Sequence, residues 1–344
     1  MSCEYIQYMD NILLIEIAVY LILYVKRKLI RFGKSAFCVT LPIDWVRKNN
    51  LEKGQELDVE ETLHNSLEII PAITNTHELT SSIELDLYGM SVEEAKYLLR
   101  AAYINGYFVI IFTRVSKEVM ESLRNSINDF IAAEVMEVNG GRMEVHIFWD
   151  VKNINLESIL QRIRFLVQNI FSETVSLLDS DSPNFDPIDE NAKSLERQVL
   201  LARRATTYAL LNAQIAHQFK YSSIELHYMS FMTQYLGNIG EYLTDFSRIT
   251  VESQDLSEKE RNKLASLVRS AEHYMRQLLD AQQKNKRAPF VMGAFIDFKR
   301  TIEELRESYP DSWTSPVLSE YLRLIFARIQ ETEFILISMG NAPK

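Results

Sequence analysis

At 344 residues, 47% of them hydrophobic, the chain is long enough for two or three domains that each bury a core. Its 37 Lys and Arg against 47 Asp and Glu give a formal charge of -10, which argues against non-specific nucleic-acid binding by the chain as a whole. Two cysteines, Cys3 and Cys38, supply no disulfide framework and fit a reducing cytoplasm.

Ile12 to Val25 is almost entirely apolar, broken by Glu16 and followed by Lys26-Arg27-Lys28. A membrane span needs about 20 apolar residues, and a secretory signal carries its cations before the apolar run. No integral membrane span is therefore expected. Residues 1–25 read as an apolar extension, either packed or upstream of a start near Met9, with membrane tethering as the alternative.

From Lys26 to Lys48 the balance inverts, with seven cations (Lys26, Arg27, Lys28, Arg31, Lys34, Arg47, Lys48) against one anion, Asp44. That asymmetry points to an anionic partner for this stretch and a solvated acidic surface elsewhere. A merely solvated basic face is the alternative. Residues 26–72 read as short strands around one helix. Lys28–Phe32 is a strand, Gly33-Lys34-Ser35 a turn, and Phe37–Leu41 a β-rich run closed by Pro42. Asp44–Asn49 is a short helix, Lys53-Gly54-Gln55 a turn, and Leu57–Glu60 and Leu67–Ile70 are strands.

After a polar linker at 75–82 the period changes repeatedly. Ile83–Leu87 alternates as a strand, Ser91-Val92-Glu93-Glu94 is a capping box opening a helix through Ala102, and Tyr107–Thr113 is an apolar strand. Ser116–Ala132 has a helical pattern, and Val135–Val138 and Met143–Trp149 flank Asn139-Gly140-Gly141 as a hairpin. This order predicts a small α/β layer over 82–150, without a glycine-rich phosphate fingerprint. Beyond it, apolar residues recur at helical spacing in 156–178, 188–218, 223–251, 257–284, 289–308 and 316–338. Six such segments joined by short polar breaks predict an antiparallel bundle or two packed three-helix units. Ile239-x-Glu241 and Ile329-x-Glu331, late in the third helix of each triplet, favour the second.

None of the six histidines shows metal-ligand spacing, and no Ser/His/Asp set or phosphate loop occurs, so no catalysis is expected. Arg203-Arg204 and Lys284–Arg287 read as helix-end charge, and the Tyr and Met residues of 221–235 as core or partner-facing.

The blocks Arg27–Ser35, Val39-Thr40-Leu41-Pro42-x-x-Trp45-Val46 and Leu51-x-x-Gly54-x-x-Leu57-x-Val59 resemble the AbrB/SpoVT family. The resemblance implies a swapped-hairpin β-barrel built from two chains, hence an obligate homodimer, with a basic face laid on DNA. Contacts would come from the seven cations named above, Arg31 and Arg47 reading base edges. Ile43 departs from the Lys that usually follows Leu-Pro there, and the same fold also serves antitoxins as a dimerisation piece.

Such a start, followed by an α/β segment and six helices, resembles the archaeal phosphate-uptake regulators with a PhoU-like body. Tyr103-Ile104-Asn105-Gly106-Tyr107 adds to that likeness. The implied architecture is α+β and multidomain: an extension at 1–25, an AbrB-like module at 26–72, an α/β linker domain at 82–150 and a PhoU-like all-α body of two three-helix units at 156–340. PhoU proteins carry acid-x-x-x-Asp pairs that hold metal ions. The matching positions here are Asp189 with Lys193, Gly237 with Glu241, Asp297 with Thr301, and Ala327 with Glu331. Each pair keeps one acid. A divalent or ferric cluster on Asp189, Glu241, Asp297 and Glu331 is thus disfavoured against caps and surface ion pairs.

The resemblance implies a cytoplasmic transcriptional regulator of phosphate uptake whose partners are DNA, a second copy of itself and a signal received by the helical body. The competing expectation is a dimeric adaptor without DNA binding that docks its body on a phosphate transporter or signalling protein.

Overall fold

The computed structural model describes residues 26–61, 66–71, 81–149, 154–180, 183–253, 256–283, 300 and 316–340 of the chain. The expected segments Ile12–Val25, Lys284–Arg287 and 289–308 lie outside the described residues. The chain is α+β and divides into two units, Met1–Thr74 and Asn75–Lys344.

In the first unit, β1 (Ile30–Phe32) and β2 (Ala36–Cys38) form an antiparallel hairpin, α1 (Ile43–Lys48) follows, and β3 (Leu57–Glu61) pairs with β4 (Leu67–Pro71). Gly33 closes the first hairpin at φ +68, a conformation that costs glycine nothing. The strands are shorter than the β-rich runs suggested, since Leu29 and Val39 continue the apolar pattern past the last ladder partners. The two sheets are separate two-stranded pieces.

The second unit begins with β5 (Ser82–Asp86), whose Ile83 and Leu85 turn inward while its polar residues face out. Ser91 caps α2 (Val92–Ile104): its hydroxyl accepts from the Glu94 N–H at 3.3 Å, and Glu94 Oε2 accepts from the Ser91 N–H at 2.8 Å. β6 (Val109–Thr113) lies parallel to β5, α3 (Lys117–Ser126) follows, and β7 (Ala133–Asn139) and β8 (Arg142–Ile147) close the layer. The sheet order is β5-β6-β8-β7, with β8 antiparallel to both neighbours. The helix expected over Ser116–Ala132 stops early. A 3-10 turn at Ile127–Asp129 and the left-handed Ala132 (φ +63) redirect the chain into β7.

Long helices make up the rest: α4 (Leu156–Asp179), α5 (Asp186–Leu211), the short α6 (Ala213–Phe219), α7 (Ser223–Glu252), α8 (Glu258–Gln283) and α9 (Pro316–Gly340). They pack as a bundle in which α4 touches α5, α7 and α8, while α7 also meets α5 and α9. On α4, Leu160, Ile163, Leu166, Val167, Ile170 and Phe171 recur at helical spacing and are at most 1% exposed. Burial of each such side chain is worth about 1.5–3 kcal/mol. The segment expected as one helix over 188–218 breaks at Asn212. The Asn212 amide donates to the Tyr208 carbonyl at 2.8 Å and caps α5 there. Gly237 and Gly240 let α5 approach α7 closely. A Cβ at Gly240 would stand 2.2 Å from Leu195 Cδ2, and one at Gly237 3.2 Å from Val199 Cγ2. Among the described residues no helix is long and apolar enough to cross a membrane.

The α/β layer and the bundle share one hydrophobic core, and their main contact runs between α2 and α5. Arg203 and Arg204, expected at a helix end, sit inside α5, and Arg204 is fully buried. Its guanidinium donates to the carbonyls of Tyr103 at 2.5 Å and Gly106 at 3.3 Å, at the carboxyl end of α2. There the helix dipole favours a cation. The rings of Tyr103, Phe108 and Trp149 surround it, with centroids 4.9–5.1 Å from Cζ. Burial pulls Arg204 down to about 10, so it stays charged at neutral pH. Beside it, Gly106 (φ +87) lies against the Tyr208 ring, where an added Cβ would meet Cδ2 at 2.9 Å.

Gly106→Ala should therefore combine backbone strain with overpacking and destabilise the chain by about 2 kcal/mol or more. A change below about 0.5 kcal/mol in denaturant unfolding would contradict this packing. Glu333 of α9 is buried against Tyr274 of α8, and burial raises its carboxyl above the usual range. The folded state then holds that proton more tightly, so stability is full below the ordinary Glu value and falls as pH rises through the elevated one. Glu333→Gln should flatten that fall and raise Tm at neutral pH. Thermal melts across pH 4–8 that leave the wild-type slope unchanged in the variant would contradict the assignment.

Candidate nucleic-acid interface

Side chains alternate across the two hairpins of the first unit. Arg31 lies opposite Phe37, on the other face from Ile30, Phe32, Ala36 and Cys38. In the second hairpin Leu57, Val59, Leu67, Ile69 and Pro71 share one face through the pairs Leu57↔Pro71, Val59↔Ile69 and Glu61↔Leu67. On the second of these faces Leu57, Ile69 and Pro71 are half-buried. Among the described side chains of the unit none is buried; Phe32 is 72% exposed and Leu67 68%.

The seven predicted cations are all exposed. Lys26, Arg27 and Lys28 precede β1, Arg31 lies in it, Lys34 sits in the turn, and Arg47 and Lys48 occupy the last turn of α1. The turn brings Arg31 and Lys34 together, the guanidinium donating to the Lys34 carbonyl at 3.4 Å. α1 ends where the Asn49 amide donates to the Trp45 carbonyl at 2.8 Å and Asn50 turns left-handed at φ 51. That stop leaves Arg47 and Lys48 at the carboxyl end of the helix, complementing its dipole.

The two units differ in how they neutralise their cations. In the second, Arg100 meets Glu196 at 3.2 Å, Arg142 meets Glu144 at 2.8 Å, and Arg114 and Arg269 meet Asp86 and Asp179. In the first, among the described residues, no carboxylate pairs with Arg27, Lys28, Arg31, Lys34, Arg47 or Lys48. Of the acids described in this unit, Asp58, Glu61 and Glu68 lie on the second hairpin, Glu52 and Glu56 just before it, and Asp44 on α1. This leaves a stretch of positive charge with open coordination, suited to phosphate oxygens.

The PhoU-type acid positions are spread over the bundle and engaged elsewhere. Asp189, in the first turn of α5, pairs with Lys193 at 2.6 Å, and that carboxylate raises the Lys193 ammonium. Glu331 pairs with Arg328. Glu241 keeps solvent contact, but partial desolvation and the nearby Asp245 carboxylate hold it above the usual range, with Arg100 opposing. Asp297 lies outside the described residues. At Gly237, where the resemblance would place an acid, an added Cβ would stand 3.2 Å from Val199 Cγ2, so a side chain there would press on α5. Among the described residues no three His, Cys, Asp or Glu side chains come together to hold a metal ion. Of the Tyr and Met residues of 221–235, Met229 and Met232 are buried and Tyr221, Tyr228 and Tyr235 half-buried.

Arg204 is the functional candidate that the sequence reading missed. Its partners lie about 100 positions earlier, and a doublet of arginines carries no signal that one will be internal. Comparison with known proteins finds no matching family model, no similar curated protein and no similar solved structure.

With Asp189 and Glu331 neutralised by neighbours, metal should contribute nothing to folding. EDTA treatment followed by Mn or Zn is expected to move Tm by less than about 1 °C. A drop with EDTA that metal reverses would contradict it.

Proposed function

We propose that the protein is a DNA-binding regulator that works as a homodimer, with the first unit on DNA and the second receiving a signal. The carrying observation is the set of exposed cations Arg27, Lys28, Arg31, Lys34, Arg47 and Lys48, for which the described residues hold no carboxylate partner. Phosphate oxygens are acceptors of the right charge for such a set, and counterion release would supply most of the affinity. Arg31 and Arg47 carry the forked donors that base edges accept, which makes them the candidates for sequence readout.

The exposed apolar faces of both hairpins support the dimer. A second copy is the partner with matching faces, and closure of an AbrB-like barrel by two chains is how the resembling family covers them. The signal is phosphate supply on the resemblance to archaeal phosphate-uptake regulators, and the protein would act in the cytoplasm. The PhoU-like body would then work without a metal cluster at the motif positions.

Fluorescence anisotropy on genomic DNA fragments over a salt series tests this reading. Wild-type protein should bind selected fragments and weaken as salt rises. Arg31→Ala/Arg47→Ala removes four cations per dimer and should lower the slope of log affinity against log salt by up to about four. Binding indifferent to both arginines, or none at all, would favour a dimeric adaptor that docks its helical body on a transporter or signalling protein.

A further inference from the structure

The joint between the α/β layer and the bundle is built from few residues and leaves several of them unsatisfied. Tyr103, Gly106, Phe108 and Trp149 belong to the layer side, where the Tyr103 hydroxyl donates to the Ile131 carbonyl at 3.0 Å. Arg204 and Tyr208 come from α5. The Tyr208 ring meets Phe108 and Trp149 edge-on at 5.8 and 5.4 Å. Arg100 of α2 adds an exposed ion pair to Glu196 of α5. Helix-to-helix contact with the bundle runs chiefly between α2 and α5, with the 3-10 turn at Ile127–Asp129 also touching α5.

Among the described residues three buried polar atoms at this joint, Trp149 Nε1, Arg204 Nε and Tyr208 Oη, have no hydrogen-bond partner. No carboxylate acts on the Arg204 guanidinium either; the groups that stabilise its charge are the Tyr103 and Tyr208 phenols. In the closed joint these groups have given up water and gained rings and two carbonyls. In an open joint all three would regain water. Packing favours the closed form while desolvation opposes it, so the two forms lie closer in free energy than the folded and unfolded chain.

We infer that the α2–α5 joint is a latch, with Arg204 as its bolt, that opens while the sheet and the bundle each stay folded. Opening withdraws Arg204 from the carbonyls of Tyr103 and Gly106, and the last turn of α2 loses its cap. Asn105-Gly106, with Gly106 already left-handed at φ +87, is where the backbone turns. The α/β layer stands in the chain between the first unit and the bundle, so the latch gives the bundle a mechanical output toward the layer. The inference does not depend on DNA binding.

Hydrogen exchange of the full-length protein, followed by mass spectrometry, tests it. The reporters are the amides of Asn105, Gly106 and Tyr107, bonded to Ala101, Tyr103 and Ala102. They should exchange at least about tenfold faster than the amides of α4 over 159–171. Ile163→Val, which weakens the bundle core, should accelerate α4 exchange and leave the reporters unchanged. Tyr208→Phe removes an unpartnered hydroxyl and should slow the reporters by about tenfold, with Trp149→Phe acting in the same direction. Reporters that exchange at the α4 rate and follow Ile163→Val would overturn the latch. So would faster reporter exchange in both aromatic variants with far-UV circular dichroism unchanged.

Discussion

Coverage of apolar surface is the constraint on which the rest of the structure depends, and the two units meet it differently. The second stacks a sheet, two short helices and a bundle so that Phe112, Met143, Ile163, Phe171 and Phe246 are fully buried in one core. The first places Phe32, Phe37, Val59 and Leu67 on its hairpins and buries none of them. Isolated two-stranded hairpins are marginal in water, and a module of this size hides too little surface to offset the entropy of ordering it. In the proposed dimer a second copy with the same faces would resolve that deficit and set two basic stretches on one particle.

Charge is distributed with a similar division. In the second unit acids and bases neutralise one another at the surface, where exposed pairs add little to stability but keep the field low. In the first unit the cations before and within the first hairpin and at the end of α1 outnumber the one acid there, Asp44, while Asp58, Glu61 and Glu68 lie on the second hairpin. Arg204 is the exception in the second unit. It is charged, internal and without an acid, and it is held by carbonyl dipoles and aromatic faces. A hydrophobic residue of that size would fill the space at lower desolvation cost. Its position at the seam between layer and bundle sets that seam apart from the purely apolar packing around it.

Much of this architecture was legible in the residues. Alternation in Ile83–Leu87, the capping box at Ser91 and Glu94, and the Gly140-Gly141 turn named the layer. Helical spacing named α4, α7, α8 and α9 to within a few positions. What escaped depends on contacts that periodicity does not encode. The apolar pattern runs on past Asn212, but its side chain caps Tyr208 and ends α5 there. Ser116–Ala132 keeps a helical pattern past Ser126, where tertiary packing of Ile127 and Phe130 turns the chain. The cation count of 26–48 could be read directly; that Arg27, Lys28, Arg31, Lys34, Arg47 and Lys48 have no carboxylate partner among the described residues could not. The closeness of Val199 to Gly237 could not be read either.

Sedimentation velocity of the full-length protein from nanomolar to micromolar concentration tests the central claim most directly. Among the described residues the first unit buries no side chain, and the proposed dimer would cover its apolar faces, so the account predicts a particle of twice the 40.0 kDa chain mass that persists on dilution. Replacing the exposed apolar pair Phe32 and Val59 with Asp should convert it to monomer. A wild-type monomer across that range, with protected amides in β1–β4, would contradict it.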